Sequence, residues 1–399
     1  MDLAAAADLS QDRIDVAAVL DQLVGGADAS AATTIGYPGA VDVNHDAVLR
    51  RLGSRLWNNI GDPSDAGGIA HTRVLERAVV AWTADLVAMP ALDRWGYVTT
   101  GGTEDNLAAL YAGRRRYPTA RVFYSRAAHY SIPKLVDVLG AHGVPVRADE
   151  RGEMDYNDLA AQLRRRKRYP AIVVGTAGTT LTEAVDDTAR IRDLLAEHPA
   201  GGHLHVDAAL SGIPLALDGR LRLDDAAGIG SIAISGHKFL GTPVPSGVVL
   251  VRDTVRTLGQ PIAYTGTVDT TISGSRCGLA AALLWHAIAV QGREGHRWRA
   301  VHARELAAYA VAQITAIGWR AWRHEHAMTV VLDTPPAEVR TRWVLATEGA
   351  VSHLICMPGI TRTQIDAFVT DLAAATPRPA APRPRAPADD SGLITTSTH

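Results

Sequence analysis

The stretch SIAISGHKFLGTPVPSG, residues 231–247, decides how this sequence folds. It begins with a short apolar run, Ser231–Ile234, read as a buried strand, and ends in a Gly/Pro-rich turn. A second apolar run, Gly247–Val251, follows the turn. Working backwards, Leu204–Val206, Ala171–Gly175 and Arg121–Tyr124 have the same character. Between several of these runs lie stretches of helical spacing: Asn106–Arg116, Ser131–Leu139, Tyr156–Arg166 and Thr188–Glu197. A further helix over 71–89 is stopped by Pro90. Strands that alternate with helices predict an α/β fold whose mostly parallel sheet is covered on both faces.

Outside this unit the pattern changes. Residues 1–34 are rich in Ala and Asp and read as a helical arm with a loose start. Leu279–Gln291 is an apolar helix leading out. Residues 300–375 hold a helix, strands near Thr329–Leu332 and Ser352–Met357, and a last helix at Arg362–Ala375, predicting a smaller α+β domain. The expected division is an N-terminal segment (1–64), a large domain (65–285), a small domain (286–375) and a Pro/Ala-rich disordered tail (376–399).

Composition excludes several classes. A formal net charge of -2 offers no basic field for nucleic acid or anionic lipid. The run Arg164–Arg168 ends a predicted helix just before Pro170 and reads as a solvated helix end. The two cysteines form no CxxC pair, so neither a disulfide framework nor a cysteine metal site is expected, and a cytoplasmic setting fits. No apolar run is long enough to span a membrane, and the first 15 residues do not read as a signal peptide. Of the 40 lysine and arginine residues only three are lysines (Lys134, Lys167 and Lys238), so the other 37 are arginines. Where a plain positive charge suffices this chain uses arginine. A lysine here points to chemistry closed to a guanidinium, such as losing a proton and forming an imine.

Lys238 leaves a buried strand, where desolvation makes its amine nucleophilic. Asp207 ends another strand 31 residues earlier, in HVDAA; it can pair with a protonated ring nitrogen or simply cap a helix. Thr100-Gly101-Gly102-Thr103 follows a strand-like Tyr97–Thr99 and opens a helix, which supplies N–H groups to a phosphate without the GxxxxGK[ST] pattern of nucleotide-binding loops. His129 sits at a strand-to-helix turn, where an imidazole can stack on a ring and donate a proton. No GxSxG elbow is present, which argues against an α/β hydrolase.

Taken in order, these segments resemble the fold-type I pyridoxal phosphate (PLP) enzymes, with their aspartate aminotransferase-like architecture. The resemblance is to the group II amino-acid decarboxylases, nearest the histidine and serine decarboxylase branch. It is carried by TIGYPGAVD, WNNIGDP, GYVTTGGTEDNL, YSRAAHYSIPKL, GTAGTTLTEAVDD, LHVDAALSGIPLAL, SIAISGHKFLGTPVPSG and DTTISGSRCG, with SHLICMPGIT beyond.

The resemblance implies PLP-dependent α-decarboxylation of a small or medium L-amino acid. Lys238 would hold the cofactor as a Schiff base, Asp207 would pair with its ring nitrogen, and His129 would stack on the ring. Gly102, Thr103, Ser235 and His237 would hold the phosphate, with Ala209 under the ring and Thr179 near it. These enzymes are homodimers, so Tyr37, Pro38 and the Asn59–Asp62 turn would reach the site from the second subunit, and Ser275 would reach the phosphate the same way. Tyr264 or His129 would return the proton to the α carbon. Asp62 either accepts a hydrogen bond from the substrate, which suits histidine or serine, or caps its turn through Ser64 or Asp65, which suits valine. Three positions depart from the family pattern: Asp105 stands where Gly is usual and adds a charge beside the phosphate loop, Cys277 replaces an Asn, and SDAGGIAH (64–71) is smaller and more flexible. Rival readings are another PLP reaction, such as transamination or decarboxylation-dependent oxidative deamination, and a non-catalytic binding protein on the same fold.

Overall fold

The computed structural model describes residues 3–10, 13–65, 70–256 and 259–375. The expected tail at 376–399 and the centre of the 64–71 segment lie outside the described residues. Seven strands build the large sheet: β1 (Arg94–Thr99), β2 (Arg121–Ser125), β3 (His142–Val146), β4 (Ala171–Thr176), β5 (Gly202–Asp207), β6 (Ser231–Ser235) and β7 (Gly247–Arg252). Their order is β1-β7-β6-β5-β4-β2-β3. β7 runs antiparallel to both neighbours and the rest are parallel. All six residues of β4 are buried, as a continuous apolar run requires when helices cover both faces.

The helices before and among these strands are α1 (Leu3–Ala6), α2 (Val16–Ala31), α3 (Asp46–Leu52), α4 (Arg73–Leu86), α5 (Gly102–Arg116), α6 (Ser131–Val138), α7 (Tyr156–Arg165), α8 (Thr188–Ala196) and α9 (Gly212–Leu217). Asp155 and Asp187 cap α7 and α8 by accepting from N–H groups of their first turns. Arg164 and Arg165 are exposed at the end of α7, as their solvated reading expects.

β1 and β6 both oppose β7, so β1, β2, β4, β5 and β6 all deliver their carboxyl ends to one edge. Open α/β sheets bind ligands at that edge. The segments that leave it carry Gly101, His129, Asp207 and Lys238.

The chain leaves the large unit by α10 (Gly278–Ala316), which bends at Gly292, where φ is +61°. A four-stranded antiparallel sheet follows, in the order β10 (Ala321–Trp322), β11 (Thr329–Asp333), β13 (Val351–Ile355), β12 (Ala346–Glu348). The second half of α10 and the helix Arg362–Ala374 pack on it through Leu306, Ile314, Val330, Leu354 and Phe368. The edge strands β10 and β12, of two and three residues, are too short to stand out in sequence, and β3 is hidden there because only Val144 and Val146 of its five residues are buried. A small hairpin, β8 (Gln260–Ile262) with β9 (Thr267–Asp269), stands apart.

Glu183 ties the small sheet to the large one. Its buried carboxylate accepts from Ser211 Oγ (2.8 Å), from the Met328 and Thr329 N–H groups (3.0 and 2.8 Å) and from Thr329 Oγ1 (2.6 Å). The backbone at Glu183 is left-handed (φ +56°), a strain these four bonds offset.

Candidate active site

Helix α5 begins where β1 ends, and the turn between them needs glycine twice. Gly101 has φ +126°, which L side chains rarely adopt. A Cβ on Gly102 would lie 2.8 Å from Ser235 Oγ and 3.3 Å from the Ala209 methyl. The helix therefore starts hard against the ends of β5 and β6, with its first N–H groups free of intrahelical partners. Thr100 secures the turn by donating its N–H (2.8 Å) and hydroxyl (2.7 Å) to Glu104.

In front of this turn lies a cavity of ≈ 250 Å³ lined by Gly102, Thr103, His129, Asp207, Ala209, Ser235, His237 and Lys238, among others. Eight predicted site residues are thus brought together from four strand ends. Burial lowers the Lys238 ammonium below the usual lysine value, and the Asp207 charge partly opposes this. Both carboxylate oxygens of Asp207 are engaged: Asn106 Nδ2 donates at 3.0 Å and the Ala209 N–H at 3.2 Å. His129 Nδ1 faces both the hydroxyl (2.8 Å) and the N–H (3.3 Å) of Ser131, so Nδ1 accepts and Nε2 carries the proton. Burial also lowers this imidazole's basicity, keeping it neutral. His237 is held against the backbone of Ser246.

Other predicted residues lie elsewhere. Thr179 does not line the cavity; its hydroxyl accepts from the Ala184 N–H (3.0 Å) and pairs with Thr182, while its neighbours Gly178 and Thr180 reach the cavity wall. Asn59 is buried and fully committed, accepting from the Thr72 N–H (2.8 Å) and donating to Glu76 (2.9 Å), so its substrate-binding reading gives way to a structural one.

The Asp62 carboxylate accepts from the Ser64 N–H (2.8 Å), Ser64 Oγ (2.5 Å), Trp95 Nε1 (3.2 Å) and Thr270 Oγ1 (2.8 Å). Its four lone-pair sites are filled, so the turn-capping reading replaces the substrate-binding one. Burial by itself would raise this carboxyl, but the bonds from Ser64, Thr270 and Trp95 prevail and hold it below the usual range.

Tyr37 and Pro38 precede Ala40, whose N–H donates to the Lys238 carbonyl at 3.0 Å. That segment reaches the lysine's backbone within its own chain, where the resemblance implied approach from a second subunit; neither side chain lines the cavity. Ser275 is exposed and accepts from Asn58 (3.1 Å). Tyr264 is 88% exposed in the β8–β9 turn, away from its own chain's cavity.

Asp105 also corrects an expectation. It is fully buried beneath the phosphate turn, not beside it, with Thr99 Oγ1 donating at 2.6 Å. Burial pushes its carboxyl well above the usual range, the Thr99 hydrogen bond opposes this, and the charges of Glu104 and Asp207 add to the upward shift. Gly247 makes the room: a Cβ there would meet Asp105 Oδ2 at 2.1 Å.

Three contributors escaped the sequence reading. Asn106 holds Asp207, and Thr176 brings to the cavity wall a buried hydroxyl with no partner among the described residues. Tyr130, exposed at the mouth, follows His129. Asn106 was within reach, since it lies one helical turn beyond Gly102 and so faces the same way.

Residues 70–331 match the pyridoxal-dependent decarboxylase conserved domain. The chain belongs to that family. It is a PLP-dependent amino-acid decarboxylase. The chain is 40% identical over 363 residues to a histidine decarboxylase of Mesorhizobium japonicum, covering 89% of this chain and 96% of that protein. It is 36% identical over 345 residues to one from Acinetobacter baumannii, covering 85% and 90%. Among solved structures it superposes on L-methionine decarboxylase from Streptomyces sp. 590 with TM-score 0.83 at 24% identity, covering 90% and 94%. Lactobacillus brevis glutamate decarboxylase gives TM-score 0.79 at 17% identity, covering 92% and 93%. Those two likenesses support the fold, which is fold-type I.

The decarboxylase's cavity fits the cofactor on its own chemistry. It offers a desolvated amine, a carboxylate for a ring nitrogen, free helix N-terminal donors for a phosphate, a glycine where any Cβ would intrude, and the unpartnered Thr176 hydroxyl. Once bound, PLP supplies an electron sink for the pair released as the Cα–carboxylate bond breaks. The chain would supply orientation and charge: Asp207 would hold a proton on the ring nitrogen, and neutral His129 would present an Nε2–H donor.

Proposed function

We propose that this decarboxylase converts L-histidine to histamine and CO2, as a homodimer in the cytoplasm. The supporting observation is the 40% identity that spans 96% of a histidine decarboxylase. The cavity's character agrees. Its lining is mostly Thr, Gly, His and Asn, and it includes no arginine, so an acidic side chain would find no cation beyond Lys238. Lys238 carries the cofactor in this reading, Asp207 faces its ring nitrogen, and His129 stacks on it. Gly102, Thr103, Ser235 and His237 hold the phosphate.

Dimerisation is supported by the apolar stripe that α2 leaves open, with Val16, Leu20, Leu23 and Val24 each at least 50% exposed. In the dimer, Tyr264 reaches the second subunit's cavity and returns the proton to the α carbon. We read 65–285 as the cofactor-binding domain and 286–375 as the small domain.

A valine-like substrate is the second reading, favoured by the filled acceptors of Asp62. Incubating the PLP-loaded enzyme with histidine, serine, valine and tryptophan separates them. Histamine formed with the highest kcat/KM supports the proposal, whereas a higher kcat/KM for valine overturns it.

A further inference from the structure

Behind Asp207 lies a string of buried polar side chains that the reaction as described above does not use. Asn106 Nδ2 meets Asp207 Oδ2 at 3.0 Å, and Asn106 Oδ1 meets His205 Nε2 at 2.7 Å. His205 Nδ1 meets Ser231 Oγ at 2.9 Å, and Ser231 Oγ meets His203 Nε2 at 2.8 Å. Three elements supply it: α5 gives Asn106, β5 gives both histidines and Asp207, and β6 gives Ser231, which pairs with His205 across the parallel strands. His205 and Ser231 are 0% exposed, Asn106 2% and His203 4%, so no bulk water can re-pair a broken link.

The proton at every link is fixed by the one before it. Asp207 accepts on both oxygens, so Asn106 must turn its NH2 towards it and its carbonyl towards His205. A carbonyl accepts only, so His205 carries its proton on Nε2. Nδ1 is then bare and takes the Ser231 hydroxyl proton. The Ser231 oxygen in turn accepts from His203 Nε2–H. Both imidazoles stay neutral because burial lowers their basicity, His205 to about 3 and His203 to about 4. All four bonds therefore point the same way, each donor facing Asp207. Aligned hydrogen bonds in a low-dielectric interior polarise one another.

We infer that His205, with Ser231 and His203 behind it, is a positioning residue that fixes the Asn106 amide and so keeps Asp207 set to hold the proton on the cofactor's ring nitrogen. If His205 took the other tautomer, Asn106 would flip. Its carbonyl would then face the Asp207 carboxylate at hydrogen-bond distance, and the ring-nitrogen partner would turn away. The inference rests on the Asp207 placement proposed above.

Two measurements test it and can fail separately. In cofactor-free wild-type protein with 15N-labelled histidine, NMR should show His205 as the Nε2–H tautomer; an Nδ1–H tautomer overturns the inference whatever Asp207 does. In enzyme loaded with ring-15N PLP, His205→Leu should move the ring-nitrogen resonance towards the unprotonated position and lower kcat about tenfold, one hydrogen bond's worth, with KM unchanged. His205→Gln, which keeps a donor near Nε2, should restore both. A folded His205→Leu enzyme with the wild-type resonance overturns the inference. Should His205→Leu not fold, Ser231→Ala removes only the hydroxyl relay and should shift the same resonance part of the way; an unmoved resonance overturns it equally. An unprotonated ring nitrogen in the wild type would instead refute the Asp207 placement and leave the tautomer result standing.

Discussion

Replacing Asp62 by asparagine separates a capping role from a substrate contact. Oδ1 of Asp62 takes both bonds from Ser64, and Oδ2 takes those from Trp95 and Thr270. An amide keeps one acceptor and turns the other into a donor. If Nδ2 faces Trp95, it meets an indole N–H that can only donate; if the amide flips, it meets the Ser64 N–H instead. Thr270 can rotate to accept, but one donor–donor contact remains in either pose. The residue is 3% exposed, so water does not relieve it. Losing one bond to a charged acceptor costs about 1.5–3 kcal/mol, and stranding a buried donor costs about 1–3 kcal/mol, so a loss of about 2.5–6 kcal/mol is expected. Urea unfolding should be followed on cofactor-free protein, because bound PLP would add its own stabilisation. KM for histidine in the loaded enzyme should stay within about twofold of wild type. Because folding depresses this carboxyl, its contribution is present above the unfolded carboxylate range and fades as pH falls through the folded value. Unchanged stability together with a KM raised about tenfold or more would refute the capping account and return Asp62 to the substrate.

Borohydride reduction of the loaded enzyme should attach the cofactor to the peptide containing Lys238, and Lys238→Ala should abolish turnover; labelling at Lys134 or Lys167 would contradict the site. Asp207→Asn should retain cofactor but lose about a thousandfold in kcat, because an amide cannot hold the ring proton, and a loss within about threefold would make Asp207 structural. His203 and His205 have their basicity lowered by burial, to about 4 and about 3, so the unfolded chain binds up to two more protons than the folded one below pH 6.5. Stability should therefore fall as pH drops from 6.5, these two groups adding up to about 2.7 kcal/mol per pH unit, and a folded His203→Phe variant should lose about half of that slope in urea midpoints; an unaltered slope would refute the buried-neutral assignment. Co-expressing Lys238→Ala with Tyr264→Phe should restore part of the activity that each lacks alone, and no recovery in proven mixed dimers would place Tyr264 outside the partner's site.

The sequence by itself determined the reaction class, through its resemblance to a family, and most of the residues that line the cavity. Strand ends and turn glycines are local features, so Gly102, Asp207, Ser235 and Lys238 could be placed at strand exits from apolar runs and Gly/Pro punctuation alone, and parallel strands must bring those exits to one edge. The poverty in lysine leaves three candidates, and the exit from the apolar run Ser231–Ile234 selects Lys238 among them. What only the tertiary structure decided was where polar groups spend their hydrogen bonds. Asp62 is filled by Trp95 and Thr270, residues 33 and 208 positions away, and no spacing rule reveals such partners. Asn59 is claimed by Thr72 and Glu76. Asp105 reads as a surface charge in sequence, and only the packing of α5 on β7 takes it out of water and raises its carboxyl well above the usual range. The Asn106–His205–Ser231–His203 string needs β5 and β6 in register and α5 laid across them. A side chain's type is local, but its protonation and its partners depend on which distant groups the fold puts within about 3 Å and on how much water the packing leaves there.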